Sequence, residues 1–178
     1  MLPSSIPLFP LPNVVLFPNL FLPLHIFELR FREMVTDALQ SDRIIGMALL
    51  RPGWEEDYEG RPPVYSVGCA GLITNFEQLE NGRYNIVLRG LQKFRILNED
   101  NQRNYRLAQV DGIIEPLNDS IRQAIRRDRV HLETLVTKGL HQAETENQVP
   151  TSIPDDDLVN ALAQYLDLEP VEKQALLE

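Results

Sequence analysis

The chain has 178 residues, with 17 Lys and Arg against 26 Asp and Glu, a net charge of −9. Hydrophobic content of 43% and charged content of 24% are those of a globular protein able to bury a core. The acidic balance argues against the basic field that phosphate-backbone binding needs, and the single cysteine, Cys69, excludes an intrachain disulfide framework or a multi-cysteine zinc site.

The opening stretch IPLFPLPNVVLFPNLFLPLHIFELRFREMV (Ile6–Val35) carries no charged side chain before Glu28. A secretory signal would need a basic residue ahead of its apolar run, and the first one is Arg30. A membrane-spanning helix would need about 20 apolar residues in a row. Pro3, Pro7, Pro10, Pro12, Pro18 and Pro23 break any such helix. A soluble, cytoplasmic protein is therefore expected. Between the prolines, Leu8–Phe9, Val14–Phe17 and Leu20–Leu22 read as short strands buried on both sides, with Pro at ends and edges. In LPNVV (Leu11–Val15), Pro12 fixes φ and Asn13 tolerates unusual backbone, which predicts a turn.

The period changes to a helical one over His25–Gln40, where Phe27, Phe31, Met34, Val35 and Ala38 share a face. Glu28 precedes Arg32 by four residues, a favourable pairing on a helix. Phe17 in a strand and Phe27 on the helix facing it are expected to be buried together. Arg43–Leu50 reads as a strand, Arg51–Pro63 as an acidic loop, and Tyr65–Leu79 as another strand. Asn81-Gly82 predicts a type I′ hairpin. Tyr84, Ile86 and Leu88 then alternate with Asn85, Val87 and Arg89. Gly90 predicts a bulge or bend before LQKFRIL continues the strand. Tyr105–Ile114 closes a β-rich part whose short connections imply a largely antiparallel sheet.

From Pro116 the pattern is helical. Ile121, Ile125, Leu132, Val136 and Leu140 mark one face of a helix over Ser120–Leu140. QAETENQVPTSIPDDD (Gln142–Asp157) reads as a linker. Asp155–Asp157 supply an N-cap and negative charge for a helix through Leu166. Pro170 suits the first turn of a last helix. The expected organisation is a β-rich domain over 1–115 and a helical subdomain over 116–178.

In that frame PLFPLPNVVLFPNLFLPLHIFELRFREMV resembles the signature that opens the substrate-binding domain of ATP-dependent Lon proteases, a module shared with bacterial stand-alone proteins and with cereblon. The resemblance continues through VGCAGLITNFEQLENGRYNIVLRGLQKFRI and resumes in LAQYLDLEPVEKQALLE. It implies an α+β fold: a PUA-like coiled antiparallel β pseudo-barrel with one packed helix, followed by a C-terminal helical bundle. It also implies a role, holding unfolded or degron-bearing polypeptides, or a partner protein, near a catalytic machine. The ATPase and protease domains of Lon are not in this sequence, which fits the bacterial stand-alone form. No G-x-x-x-x-G-K-[ST] loop or G-x-S-x-G elbow occurs, so no catalytic residue, cofactor or metal is expected.

Several residues invite sharper readings. Cys69 in VGCAGLI reads as a buried small hydrophobe rather than a nucleophile. His25 reads as a structural hydrogen-bonding residue, and His131 and His141 lack companions at zinc spacing. Arg122, Arg126, Arg127 and Arg129 read as a solvated helix face. The candidate polypeptide contacts are Trp54 and Tyr58, set among acids in the Arg51–Pro63 loop, with Phe76 and Leu79 leading into the hairpin. The expected function is a non-catalytic polypeptide-binding or adaptor module that binds neither nucleic acid nor membrane. Weak self-association is compatible with it. The alternative is a PUA-like RNA- or small-molecule-binding protein. The net charge disfavours RNA, and no acid, base and nucleophile constellation supports an enzyme.

Overall fold

The structure is a computed structural model that describes residues 2–100, 102–114, 119–141 and 154–178. Among these residues six strands are found: β1 (Ser5–Leu11), β2 (Phe21–Ile26), β3 (Ile44–Leu49), β4 (Val67–Gln78), β5 (Tyr84–Asp100) and β6 (Arg106–Gly112). Four helices accompany them: α1 (Leu29–Leu39), α2 (Asp119–His141), α3 (Asp155–Tyr165) and α4 (Pro170–Leu177), with a 3-10 turn at Trp54–Asp57. The chain forms two compact units: residues 1–113 together with 160–178, and residues 114–159.

In the first unit the strands run in the order β2-β5-β4-β3-β1-β6, and β5 also pairs with β6. The sheet therefore closes on itself through the long strand β5, leaving β2 as a flap on one side. Only β1 and β3 are parallel; the other ladders are antiparallel. The prolines explain the shape of β1. Pro7 lies opposite Leu107 of β6, and Pro10 lies opposite Ala48 of β3. β1 pairs with β6 only over Ser5–Leu8 and with β3 only over Leu8–Leu11. Each proline thus occupies a stretch with one unpaired flank, where its missing N–H costs no ladder bond.

β5 can serve three neighbours because it bends. Ala70 pairs with Gln92 but Gly71 pairs with Gly90, so Leu91 is an extra residue on β5, a bulge at the predicted place. A Cβ on Gly90 would stand 2.1 Å from the Phe17 carbonyl oxygen. Glycine admits that approach, and the Gly90 carbonyl accepts from the Asn19 N–H at 2.9 Å while its N–H donates to the Leu20 carbonyl at 2.8 Å.

Several expectations need correction. Phe17 is buried, but Val14–Phe17 is an irregular loop rather than a strand. Its apolar side chains fill the core while the backbone is tied by turns, and a continuous apolar run reads the same either way. Phe27 is not buried: it is 59% exposed and precedes α1. Glu28 at the N-cap is extended, with φ −68 and ψ 137. The helical phase therefore does not reach back to Phe27, and the buried face is Phe31, Met34, Val35 and Ala38. β2 is buried on one side at most, with Phe21, Pro23 and His25 exposed. The left-handed residue of the opening is Asn19 rather than Asn13. In the β4–β5 hairpin only Gly82 has positive φ. The Gly82 N–H donates to the Leu79 carbonyl at 2.8 Å and the Leu79 N–H to the Arg83 carbonyl at 2.9 Å. This is a type I turn followed by a glycine bulge, not a type I′ turn.

The core of the first unit gathers Phe17, Met34, Ile45, Leu49, Ile86 and Leu88, joined by Ala163 of α3 and Leu177 of α4. Gln174 of α4 is buried, and its Nε2 donates to the Val67 carbonyl at 3.0 Å. Pro170 opens α4, and Glu169 with Glu172 forms a capping box.

In the second unit, Arg129 of α2 is held by Glu133 at 2.7 Å and Asp155 at 2.6 Å. It is therefore an ion-paired residue rather than part of the solvated face expected for the arginine run, whereas Arg126 and Arg127 are exposed. Ile125 and Leu132 are half-buried; the Ile121, Val136, Leu140 and Arg122 side chains lie outside those described, as does the expected linker up to residue 153.

Candidate polypeptide-binding surface

The flap strand β2 builds a groove with β5 and β4. Pro23 lies opposite Val87, and His25 opposite Asn85. On the other side of β5, Asn85 lies opposite Glu77, and Ile86 opposite Phe76. Pro23, Leu24, Phe76, Ile86 and Val87 give this groove apolar walls, and His25, Asn75, Glu77 and Asn85 its polar groups; its volume is about 490 Å³.

The polar row has a fixed direction. Asn85 Nδ2 donates to Glu77 Oε2 at 3.0 Å, which turns its Oδ1 toward His25. His25 Nδ1 lies 2.7 Å from that oxygen. A carbonyl oxygen can only accept, so Nδ1 carries the proton and a neutral ring keeps Nε2 as an acceptor. His25 is thus a hydrogen-bonding residue, exposed near the end of β2, where the strand leads into α1. Its ring stacks on Phe27 at 6.3 Å. Phe76, 50% exposed, receives Arg43 over its face at 6.0 Å. Phe21 and Phe27, each 59% exposed, extend the aromatic character of β2 and its end. Buried Ile86 and Leu88 fix the strand beneath.

The second candidate region is the loop after β3. Trp54 begins the 3-10 turn, is half-buried, and meets Tyr58 edge-on with ring centres 5.5 Å apart. Tyr58 donates to Glu28 Oε1 at 2.6 Å, while Arg30 donates to Glu28 Oε2 at 3.0 Å and to the Tyr58 carbonyl at 3.2 Å. Burial, then the Glu28 hydrogen bond, pushes the Tyr58 hydroxyl above its ordinary pKa. The loop is therefore anchored to the start of α1.

Of the four residues singled out in sequence, the structure pairs Trp54 with Tyr58, and sets Phe76 in the groove. Leu79 is half-buried in the hairpin turn, its backbone engaged in that turn. Among the described residues no hydrogen bond or ring contact joins the first pair to the second. Sequence reasoning missed Pro23, Leu24 and Val87, whose nearness across β2 and β5 depends on register. Burial pushes the Cys69 thiol up to about 12, so it stays protonated at neutral pH. Among the described residues no group of three or more His, Cys, Asp and Glu gathers to hold a metal ion, and no helix is long and apolar enough to cross a membrane.

The family model of the ATP-dependent protease La (LON) substrate-binding domain matches residues 5–178. The chain belongs to this family. Lon protease 2 of Syntrophobacter fumaroxidans is 28% identical over 180 residues, and Lon protease 2 of Myxococcus xanthus is 27% identical over 182. Each match covers 99% of this chain but 22% of the relative, so the Lon-type domain spans about a fifth of those proteins. Among solved structures, a Lon N-terminal domain protein from Xanthomonas campestris superposes with a TM-score of 0.67 at 22% identity, covering 98% of this chain and 90% of that one. The N-terminal domain of the Mycobacterium avium complex Lon protease gives 0.66 at 17% identity, with the same coverage. The Lon N-terminal fold is thus shared, with mixed α and β structure.

Proposed function

We propose that this Lon-type domain is a non-catalytic module that binds extended polypeptide, acting as a recognition or adaptor unit, with the β2–β5–β4 groove as its contact surface. The observation that carries the reading is an apolar-walled groove with half-exposed Phe76 at its side, in a chain of the Lon substrate-binding family. Exposed aromatic side chains on a rigid sheet are suited to anchoring an apolar side chain of a client. Glu77 in the wall favours clients that also carry basic residues. In this reading Phe76 and Trp54 are contacts, Tyr58 holds Trp54 in place, and Leu79 shapes the hairpin beside the groove.

The test is a titration of the protein into dye-labelled unfolded peptides, followed by anisotropy. Saturable binding with Kd on the order of 10⁻⁵ M is expected, weakening with salt for basic peptides. Phe76→Ser should weaken it without lowering the melting temperature. Failure of peptides of every composition to bind at millimolar concentration, with a folded partner or an RNA binding instead, would reject the reading.

A further inference from the structure

Away from the aromatic groove, arginines gather around a second cavity. Arg30 of α1, Arg61 of the loop after β3, Arg103 of the β5–β6 connection and Arg106 of β6 line a cavity of about 240 Å³. Among the lining residues Glu59 supplies the carboxylate. Such a concentration of positive charge is unexpected in a chain of net charge −9.

All four guanidiniums are held in place, and those of Arg103 and Arg106 are not used up. Arg30 is fixed by Glu28 and the Tyr58 carbonyl. Arg61 donates to the carbonyls of Asp100 and Arg103, each at 3.0 Å. Arg103 engages Asp37 and the Tyr105 hydroxyl through Nη1 alone. Arg106, only 5% exposed, donates to the Pro62 carbonyl through Nη2, and its Nη1 stands 3.7 Å from Glu99, beyond hydrogen-bond reach. A guanidinium has five N–H donors, so Arg103 and Arg106 each keep donors for a further acceptor. The carboxylates of Glu28, Asp37 and Glu99 are not among the lining residues. Burial lowers the pKa of Arg106, and Arg61 and Arg30 lower it further against the opposing pull of Glu99 and Asp57. Crowded, partly desolvated cations are stabilised by an anion placed among them.

We propose that this cavity is an oxyanion-binding site, taking a carboxylate or phosphate group against Arg103 and Arg106, with Arg61 and Arg30 adding to the field. The site is independent of the aromatic groove. Charge-assisted hydrogen bonds to planar guanidiniums would fix the group's orientation as well as its position.

The test follows backbone amide signals of Gly60, Asn104 and Tyr105 by NMR. One arm titrates inorganic phosphate alone. A second compares two peptides identical except that one ends in a free carboxylate and the other in an amide. Saturable shifts at these amides with either oxyanion are expected, with Arg103→Gln weakening binding about tenfold, the scale of one charge-assisted hydrogen bond, and Glu59→Gln tightening it. Arg103 is about half exposed, so its replacement leaves the fold intact, as an unchanged melting temperature would verify. Response to phosphate alone assigns the site to a free anion; response to the free-acid peptide alone assigns it to a chain carboxylate. Silence of these amides in both arms at high millimolar concentration overturns the site, as does equal affinity of Arg103→Gln. An amidated peptide that still binds and is lost only with Phe76→Ser would leave the groove standing and this cavity without a ligand.

Discussion

Tyr58 donates its hydroxyl to Glu28 at 2.6 Å, joining the loop after β3 to the residue that caps α1. Glu28 is shared, because Arg30 binds its other oxygen at 3.0 Å. Tyr58→Phe removes one bond to a charged acceptor and is expected to cost about 1–2 kcal/mol. Trp54, which rests on the Tyr58 ring, should report loosening of the loop through its emission. An unchanged melting temperature together with unchanged emission would mean that the loop is fixed by other contacts.

Tyr105 makes the comparable bond to Asp37 at 2.8 Å. Burial first, and then this bond, hold its pKa up at about 12 against the ordinary 10.0. Above pH 10 the folded protein keeps a proton that the unfolded chain releases, so stability falls as pH rises. The contribution is fully present below pH 10 and is lost by about pH 12. Denaturation midpoints should decline over that window, and Tyr105→Phe should flatten the decline. The raised Tyr58 hydroxyl acts in the same direction, so the double variant should be flatter still. A slope indifferent to both replacements would place the alkaline transition elsewhere.

Phe17 and Phe27 should separate cleanly. Phe17 is 1% exposed, and Phe17→Ala is expected to cost ~3–5 kcal/mol. Phe27, exposed and ahead of α1, should change stability by less than about 0.5 kcal/mol. Chemical denaturation of both variants distinguishes them; comparable losses would contradict the placement of Phe27.

Gly90→Ala puts a methyl group 2.1 Å from the Phe17 carbonyl oxygen, a backbone atom that cannot rotate away. The loop and the bulge must separate, at a cost of about 1–3 kcal/mol. Amide exchange should quicken at Asn19, whose N–H is bound to the Gly90 carbonyl. Unaltered protection there would show that the close approach is absent in solution.

Gln174→Ala leaves the Val67 carbonyl in the core without its side-chain donor, an expected loss of about 1–3 kcal/mol. Equilibrium denaturation measures it, and a neutral result would mean that water replaces the amide.

The legible parts of the sequence were those whose signals are local. Asn81-Gly82 announced a hairpin, though the turn type depended on Asn81, whose φ is not positive. Gly90 announced a bulge, because a glycine interrupting an alternating strand has few other uses. Pro170 announced a helix start. Val14–Phe17 reads as a strand yet is a loop, because packing on the core makes these residues apolar whatever their backbone does. Phe27 was misread because it stands four residues before Phe31, a spacing that carries meaning only where the backbone is already helical. The groove was legible only through Phe76. Its other walls come from residues 23–25, 75–77 and 85–87, brought together by strand register. The arginines of the second cavity are likewise spread from residue 30 to residue 106.

The seam between β1 and β6 pairs Ser5 with Gln109, so nearly all of the β-rich sequence is synthesised between its two sides. Until β6 emerges from the ribosome, β1 waits with one flank open and with Leu8 and Phe9 in need of cover. Long-range strand pairing of this kind is slow, and an open apolar edge is a template for aggregation while it waits. Pro7 lies on the stretch that waits and Pro10 on the stretch that β3 covers first. A proline on an open edge cannot donate to an intruding strand. The prolines that break a membrane helix therefore also act as gatekeepers, each removing a donor on the flank of β1 that stays unpaired in the folded sheet.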